Sequence, residues 1–182
     1  MEERRAKLTI LLGTNGTGKT TMLHNILSQS GQRALIIMPD EIEWTKYPLN
    51  YLDKPEDFLF TGIQRHVFDP KKTLDALELY KKGILVFDDC RGYFKSGTAD
   101  QLRKLLIRRR QQEIDIFAVG HGFTQVPPEF FTFASDYILF KTCDNIKRRK
   151  DCIVNYDFMA HCQQYVNEQA KTDLHFYRVI KV

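Results

Sequence analysis

Short apolar runs of strand length alternate along this chain with stretches whose apolar residues recur at helical spacing. The first run is Lys7-Leu8-Thr9-Ile10-Leu11-Leu12. Lys19 to Ser30 follows, with Met22, Leu23, Ile26 and Leu27 on one helical face and Gly31 just past the end as a stop. Ala34-Leu35-Ile36-Ile37-Met38 reads as a buried strand closed by Pro39. Thr73 to Lys82, carrying Leu74, Leu77, Leu79 and Tyr80, reads as a helix stopped by Gly83. Ile84 to Phe87 is a strand, about Thr98 to Gln112 a helix, and Ile114 to Val119 a strand. Pro127-Pro128 breaks the chain before a strand at Tyr137–Lys141. A helix around Val154–Ala170 and a strand near His175–Lys181 end it. Residues 40–70, with Pro48, Pro55 and Pro70 and several aromatics, fit neither period and read as an irregular insertion. The alternation predicts one α/β domain over residues 1–182, a mainly parallel sheet with helices on both faces.

The polar residues between the first strand and helix carry the strongest chemical signal. Gly13-Thr14-Asn15-Gly16-Thr17-Gly18-Lys19-Thr20 matches G-x-x-x-x-G-K-[ST] without a mismatch. Glycines at these places let consecutive N–H groups curl inward at phosphate oxygens, and the helix start turns its positive dipole end to the same anions. Lys19 adds a cation, and the Thr20 hydroxyl suits Mg²⁺. Gly13, Thr14, Asn15, Gly16, Thr17, Gly18, Lys19, Thr20 and Thr21 are therefore the expected phosphate-binding set. The fold expected around them is the three-layer P-loop NTPase fold.

Ile84-Leu85-Val86-Phe87 ends in Asp88-Asp89, the form of a Walker B element. Asp88 would hold Mg²⁺ opposite Thr20, and Asp89 would act as base or orienter for the water attacking a γ-phosphate. A strand and helix between this element and the phosphate loop favour an ATP hydrolase with a central inserted strand. The guanine-reading N-K-x-D does not occur, which points to adenine. Gly120-His121-Gly122 follows the next strand, and His121 is the candidate γ-phosphate sensor, with Thr124 and Gln125 as substitutes. The insertion at 40–70 is expected to cover the nucleotide or to meet a neighbouring subunit.

Charge adds a second theme. The chain has 182 residues, with 27 basic and 23 acidic side chains and a net charge of +4. That balance permits a nucleic-acid partner without demanding one. Two basic clusters stand out: Arg108-Arg109-Arg110, near the end of a helix that also holds Arg103 and Lys104, and Lys147-Arg148-Arg149-Lys150. Three consecutive helical residues fan over roughly 200° and cannot form one ligand set. Either they are a solvated helix end, or one of them is an arginine finger for a neighbouring subunit (Arg109 the candidate), or several grip DNA phosphates. Cys90, Cys143, Cys152 and Cys162 show no C-x-x-C spacing and read as free thiols of a reducing cytoplasm. No apolar run approaches the ~18 residues of a membrane span, and no signal peptide is visible.

The order of these elements resembles a known family. Asp88-Asp89 leads to a loop with Tyr93-Phe94, then to Leu105-Leu106-Ile107-Arg108-Arg109-Arg110, then to Asp115-Ile116-Phe117-Ala118-Val119. Pro127-Pro128-Glu129-Phe130-Phe131 and Tyr137-Ile138-Leu139-Phe140-Lys141 follow. This looks like the zonular occludens toxin-like ATPases of the FtsK/HerA group of DNA-pumping motors, over most of Leu8 to about Lys150. The resemblance implies phosphate binding by Gly13 to Thr20, metal holding by Asp88, a catalytic acid at Asp89 and a sensor near His121. Three features differ from the family pattern: Asp89 stands where Glu is usual, His121 where Gln is usual, and no membrane span follows.

Together these readings predict a cytoplasmic ATPase of a phage or mobile element, acting in the host cytoplasm. It would use ATP and Mg²⁺ to move or package DNA, as a homo-oligomeric ring. A nucleotide or nucleoside kinase, and an ATP-gated interaction module with little turnover, are the alternatives.

Overall fold

A computed structural model describes residues 6–93 and 98–182. Its centre is a seven-stranded sheet in the order β3-β2-β4-β5-β1-β6-β7. The strands are β1 (Leu8–Leu12), β2 (Ala34–Met38), β3 (Ile63–Val67), β4 (Gly83–Phe87), β5 (Ile114–Gly120), β6 (Asp136–Leu139) and β7 (Arg178–Lys181). Neighbours pair parallel except β6 and β7, which are antiparallel. Every residue of β1, β2 and β4 is buried, as unbroken apolar runs in the middle of a parallel sheet should be. The strand inserted between β1 and β4 is β5, the arrangement expected of the ATP hydrolase reading.

Side chains alternate between two cores. Leu8, Ile10, Leu12, Leu35, Ile37, Leu85 and Phe87 face α2 (Thr73–Ala76), α3 (Ala99–Arg108), α4 (Pro128–Phe133) and α5 (Tyr156–Gln169). Leu11, Ile36, Val86, Phe117 and Val119 face the other way, onto Leu23 and Leu27 of α1 (Lys19–Gln29) and onto Trp44. The predicted three layers are present, but unequal: α1 and the segment after β2 cover one face alone.

The segment 40–70 is more ordered than its composition predicts. It holds the edge strand β3, in register with β2 from Ala34↔Ile63 to Met38↔Val67, and a 3₁₀ turn at Pro55–Phe58. Gln64, Arg65 and His66 interrupt the apolar run, which hides β3 from a hydrophobic-pattern reading. Asn50 ties the segment together, donating from Nδ2 to Asp57 O (2.6 Å) and Gln64 Oε1 (2.7 Å) and accepting from Leu52 N–H (2.9 Å). The expected helix at Thr73–Lys82 is also shorter: α2 tightens into a 3₁₀ turn at Leu77–Leu79, and Gly83 opens β4 rather than merely stopping a helix.

Candidate nucleotide site

In a parallel sheet the carboxyl ends of the strands carry the loops that can reach a common ligand. Here the loops after β1, β2, β4 and β5 converge on a cleft of about 470 Å³, lined among others by Lys19, Thr20, Asp40, Glu43, Asp88, Asp89, His121 and His175. Asn15, Gly16, Gly18 and Thr21 line it too. Six of the nine expected phosphate-binding residues are thus on its wall, and Gly13, Thr14 and Thr17 form the frame behind them.

That frame is tightly tied. Gly13 N–H donates to Gly120 O (3.2 Å) and Thr14 N–H to Lys141 O (2.8 Å), so the loop hangs between β5 and β6. The buried Thr17 hydroxyl donates to Thr14 O at 2.8 Å. Gly16 (φ 76°) and Gly18 (φ 97°) take the left-handed backbone that turns the chain into α1. Gly13 is required for a different reason: a Cβ there would lie 2.6 Å from Phe140 Cβ. Lys19 folds back so that Nζ donates to Thr14 O at 2.9 Å. Burial lowers the Lys19 pKa, and the Asp88 and Asp89 charges work against that shift.

The acidic pair sits at the end of β4, one strand away from β1. Asp88 N–H continues the sheet ladder by donating to Ile37 O (2.9 Å). The Tyr93 hydroxyl donates to the Ile37 carbonyl (2.9 Å) and lies against the Asp88 carbonyl as well, pinning the turn. Asp88 Oδ2 accepts from Trp44 Nε1 at 2.5 Å. Burial raises the Asp88 pKa, the Trp44 bond opposes this, and the nearby Glu43 and Asp89 charges add to it. Asp89 adopts φ 50°, and its Oδ1 is buried without a hydrogen-bond partner. A buried carboxylate oxygen left over in this way is an acceptor that awaits a donor.

His121 lies on the cleft wall, at the end of β5, and its N–H donates to Gln125 Oε1 (3.3 Å). Gln125 therefore supports the turn that presents His121, and Thr124 is turned to Asp144, its N–H donating to Oδ2 at 2.6 Å. The Asp144 carboxylate packs so closely over Gly122 that a side chain there would have to displace it.

The basic clusters end up elsewhere. Arg109 follows the stripe Leu102, Leu105, Leu106 and is only 4% exposed. Its guanidinium donates to Leu106 O (2.6 Å) and Phe133 O (3.4 Å) and stacks on the Phe133 ring. Arg109 O accepts from Ile114 N–H at the start of β5, the end of the sheet opposite the phosphate loop. Arg109 is thus a core tether, and the expectation of a finger at this position is corrected. Arg108 is exposed and pairs with Glu78 at 3.1 Å, and Arg110 is exposed. In the second cluster Arg149 is spent on structure, donating to the Phe123, Thr124 and Val126 carbonyls, while Lys147, Arg148 and Lys150 are exposed. Of the expected aromatic loop, Tyr93 is buried at the site, and Phe94 lies outside the described residues.

Two residues carry no motif signal: His175 on the cleft wall, and Trp44 behind it, against Asp88. His175, in the segment before β7, reaches the phosphate loop: a Cβ on Gly18 would lie 3.2 Å from its Nδ1. Trp44 comes from the insertion. Neither position is fixed by a spacing rule; only the antiparallel return of β7 and the packing of the insertion bring them in.

The sheet order and the lysine-bearing loop define the P-loop NTPase fold. No family model and no curated protein matches the chain. Solved structures do. The genome-packaging NTPase B204 from Sulfolobus turreted icosahedral virus 2, in complex with sulfate, superposes with a TM-score of 0.71 at 16% identity, covering 100% of this chain and 93% of that one. The same protein in complex with AMPPCP gives 0.69 at 16% identity, with 97% and 92% covered. B204 from Sulfolobus turreted icosahedral virus, a DNA-packaging ATPase, gives 0.69 at 14% identity, with 98% and 93% covered. The N-terminal domain of zonular occludens toxin from Neisseria meningitidis is a further structural neighbour, with a TM-score of 0.45 at 16% identity. Among the described residues no helix is long and apolar enough to cross a membrane.

Proposed function

We propose that the chain is an ATP hydrolase that drives the packaging or translocation of viral or mobile-element DNA in the host cytoplasm. The observation that carries this reading is the cleft that gathers Lys19, Thr20, Asp88, Asp89 and His121 at the carboxyl edge of the sheet, with β5 between the two acidic and phosphate-binding strands. Similarity to B204 across nearly the whole of both chains supports the coupling to DNA.

The donor set fits Mg²⁺. The Thr20 hydroxyl and the Asp88 carboxylate are hard oxygen ligands, and Mg²⁺ bound with substrate phosphates needs few protein groups. Charge argues the same way: among the described residues Lys19 is the one ammonium on a wall that also holds Asp40, Glu43, Asp88 and Asp89, so a polyphosphate needs a further cation there. When bound, Mg²⁺ neutralises charge on the β- and γ-phosphates.

The chain's own groups divide the remaining work. Backbone N–H groups from Asn15 to Thr20 cradle the phosphates, on a frame held by the Gly13 and Thr14 N–H groups, and Lys19 leaves Thr14 O to meet them. Asp89, on the cleft wall, accepts the proton of the attacking water or orients that water. His121 stands where it can donate to a γ-phosphate oxygen and pass its loss to the turn held by Gln125 and Asp144. DNA contacts fall to the exposed Lys147, Arg148 and Lys150 and to the exposed Arg103, Lys104, Arg108 and Arg110 of the α3 region. A ring of identical subunits would bring such a basic surface around one DNA, and Arg108 and Arg110 are the arginines of the triplet accessible to a neighbour.

The test is phosphate release from ATP and Mg²⁺, with and without double-stranded DNA, beside Lys19→Ala. Turnover stimulated by DNA and lost in the variant is the expected result. Turnover indifferent to DNA overturns the motor, and a phosphorylated nucleoside instead of free phosphate makes the protein a kinase. Tight binding without turnover makes it a nucleotide-gated module.

A further inference from the structure

The insertion after β2 places the one tryptophan of the chain against the carboxylate expected to hold metal. Trp44 is 7% exposed and has φ 56°, a left-handed conformation that bulky side chains avoid. Such a residue persists only where its surroundings over-determine it. They do so here from three sides. Arg65 on β3 donates to the carbonyls of Glu41 (3.0 Å), Glu43 (3.3 Å) and Tyr47 (2.9 Å), gathering the backbone on both sides of Trp44. The Trp44 ring stacks on Tyr47 (centroids 6.0 Å apart), which stacks in turn on His24 of α1 (6.1 Å). The indole N–H then donates to Asp88 Oδ2 at 2.5 Å.

The bond to Asp88 does more than hold Trp44 in place. A buried indole N–H requires an acceptor, but a backbone carbonyl would serve and carries no charge to desolvate. The bond fixes the Oδ2 oxygen of Asp88, and the Asp89 backbone also hydrogen-bonds the same carboxylate, so its orientation is held from two sides. Carboxylates that hold a metal are held themselves by such partners, which set their orientation.

We propose that Trp44 is a positioning residue for Mg²⁺: it holds the Asp88 carboxylate through Oδ2 in the orientation in which it would take the metal, and couples metal uptake to the segment 40–47. The inference rests on the nucleotide-site reading above. It gives the insertion a role in the site and makes Trp44 an optical reporter built into the chain.

The experiment measures Mg²⁺ uptake by calorimetry in wild type and Trp44→Phe, each loaded with a non-hydrolysable ATP analogue, and analogue binding without metal. Phenylalanine keeps a ring for Tyr47 and removes the N–H. The expected result is Mg²⁺ affinity weakened about 10–100-fold, with metal-free analogue affinity within about twofold of wild type. In wild type, Trp44 emission shifts on Mg²⁺ addition to the loaded protein and saturates where calorimetry does. That titration needs no variant and holds if Trp44→Phe folds poorly. Unchanged Mg²⁺ affinity in the variant overturns the proposal alone, as does an equal loss of metal-free binding or an emission blind to Mg²⁺. A wild-type protein that takes up neither analogue nor metal overturns the nucleotide-site reading as well.

Discussion

The Lys19 ammonium donates to the Thr14 carbonyl at 2.9 Å, bridging the first and last parts of the loop that a phosphate chain would fill. The bond marks the resting position of a cation that burial already pushes toward its neutral form. Phosphate oxygens are stronger acceptors than a single carbonyl, so a nucleotide should draw Nζ away from Thr14. Lys19→Ala removes the cation without disturbing the backbone ties of Gly13 and Thr14. Turnover should fall at least ~100-fold while the melting temperature stays close to wild type. Phosphate-release assays beside a thermal melt check both halves.

Asp89 carries the opposite expectation for binding. Its Oδ1 has no partner to lose, and its backbone, at φ 50°, is the kind of turn that asparagine tolerates as well as aspartate. Asp89→Asn keeps the shape and removes the base. Phosphate release should drop about 10²–10⁴-fold with analogue affinity unchanged. Equal losses of both would assign Asp89 to binding instead.

Arg109 and Arg110 are adjacent in sequence and opposite in consequence. Arg109→Ala strips hydrogen bonds from Leu106 O and Phe133 O and leaves a hole beside Phe133, in a residue only 4% exposed. A loss of about 2–3 kcal/mol of stability is expected, read as a lowered denaturant midpoint. Arg110→Ala should stay within about 0.5 kcal/mol of wild type. If Arg110 or Arg108 serves DNA or a neighbour, its substitution lowers DNA-stimulated turnover and leaves the midpoint alone.

How much of this was legible follows residue by residue. The strands β1, β2 and β4 are continuous apolar runs, and the phosphate loop is a spacing rule, so both could be read directly. Arg109 could also have been placed: it continues the Leu102, Leu105, Leu106 stripe, four residues beyond Leu105 and seven beyond Leu102. Charge drew attention away from that periodicity. β3 could not, because Gln64, Arg65 and His66 owe their places to a polar network with Asn50, Tyr47 and Thr73, and such partners have no period. Trp44 and His175 reach the site through tertiary packing alone.

That same polar network makes stability depend on pH. The Thr73 hydroxyl accepts from Asp69 N–H (2.8 Å) and donates to His66 Nε2 (2.9 Å), and His66 Nδ1–H donates to Asn50 O (2.8 Å). The chain of donors closes only around a neutral imidazole, and burial accordingly lowers the His66 pKa below its ordinary 6.5, against weaker pulls from the Asn50 carbonyl, Asp53 and Asp69. The unfolded chain binds a proton as pH falls through about 6.5, and the folded chain resists it. The His66 contribution is therefore fully present above that pH and is lost progressively below it, until the depressed folded pKa is reached. His66→Gln, which cannot titrate, should lower stability at pH 8 and flatten the slope below about pH 6.5. Denaturant midpoints measured across that range for both proteins check this; parallel slopes would mean that His66 takes up its proton as readily in the folded chain as in the unfolded one.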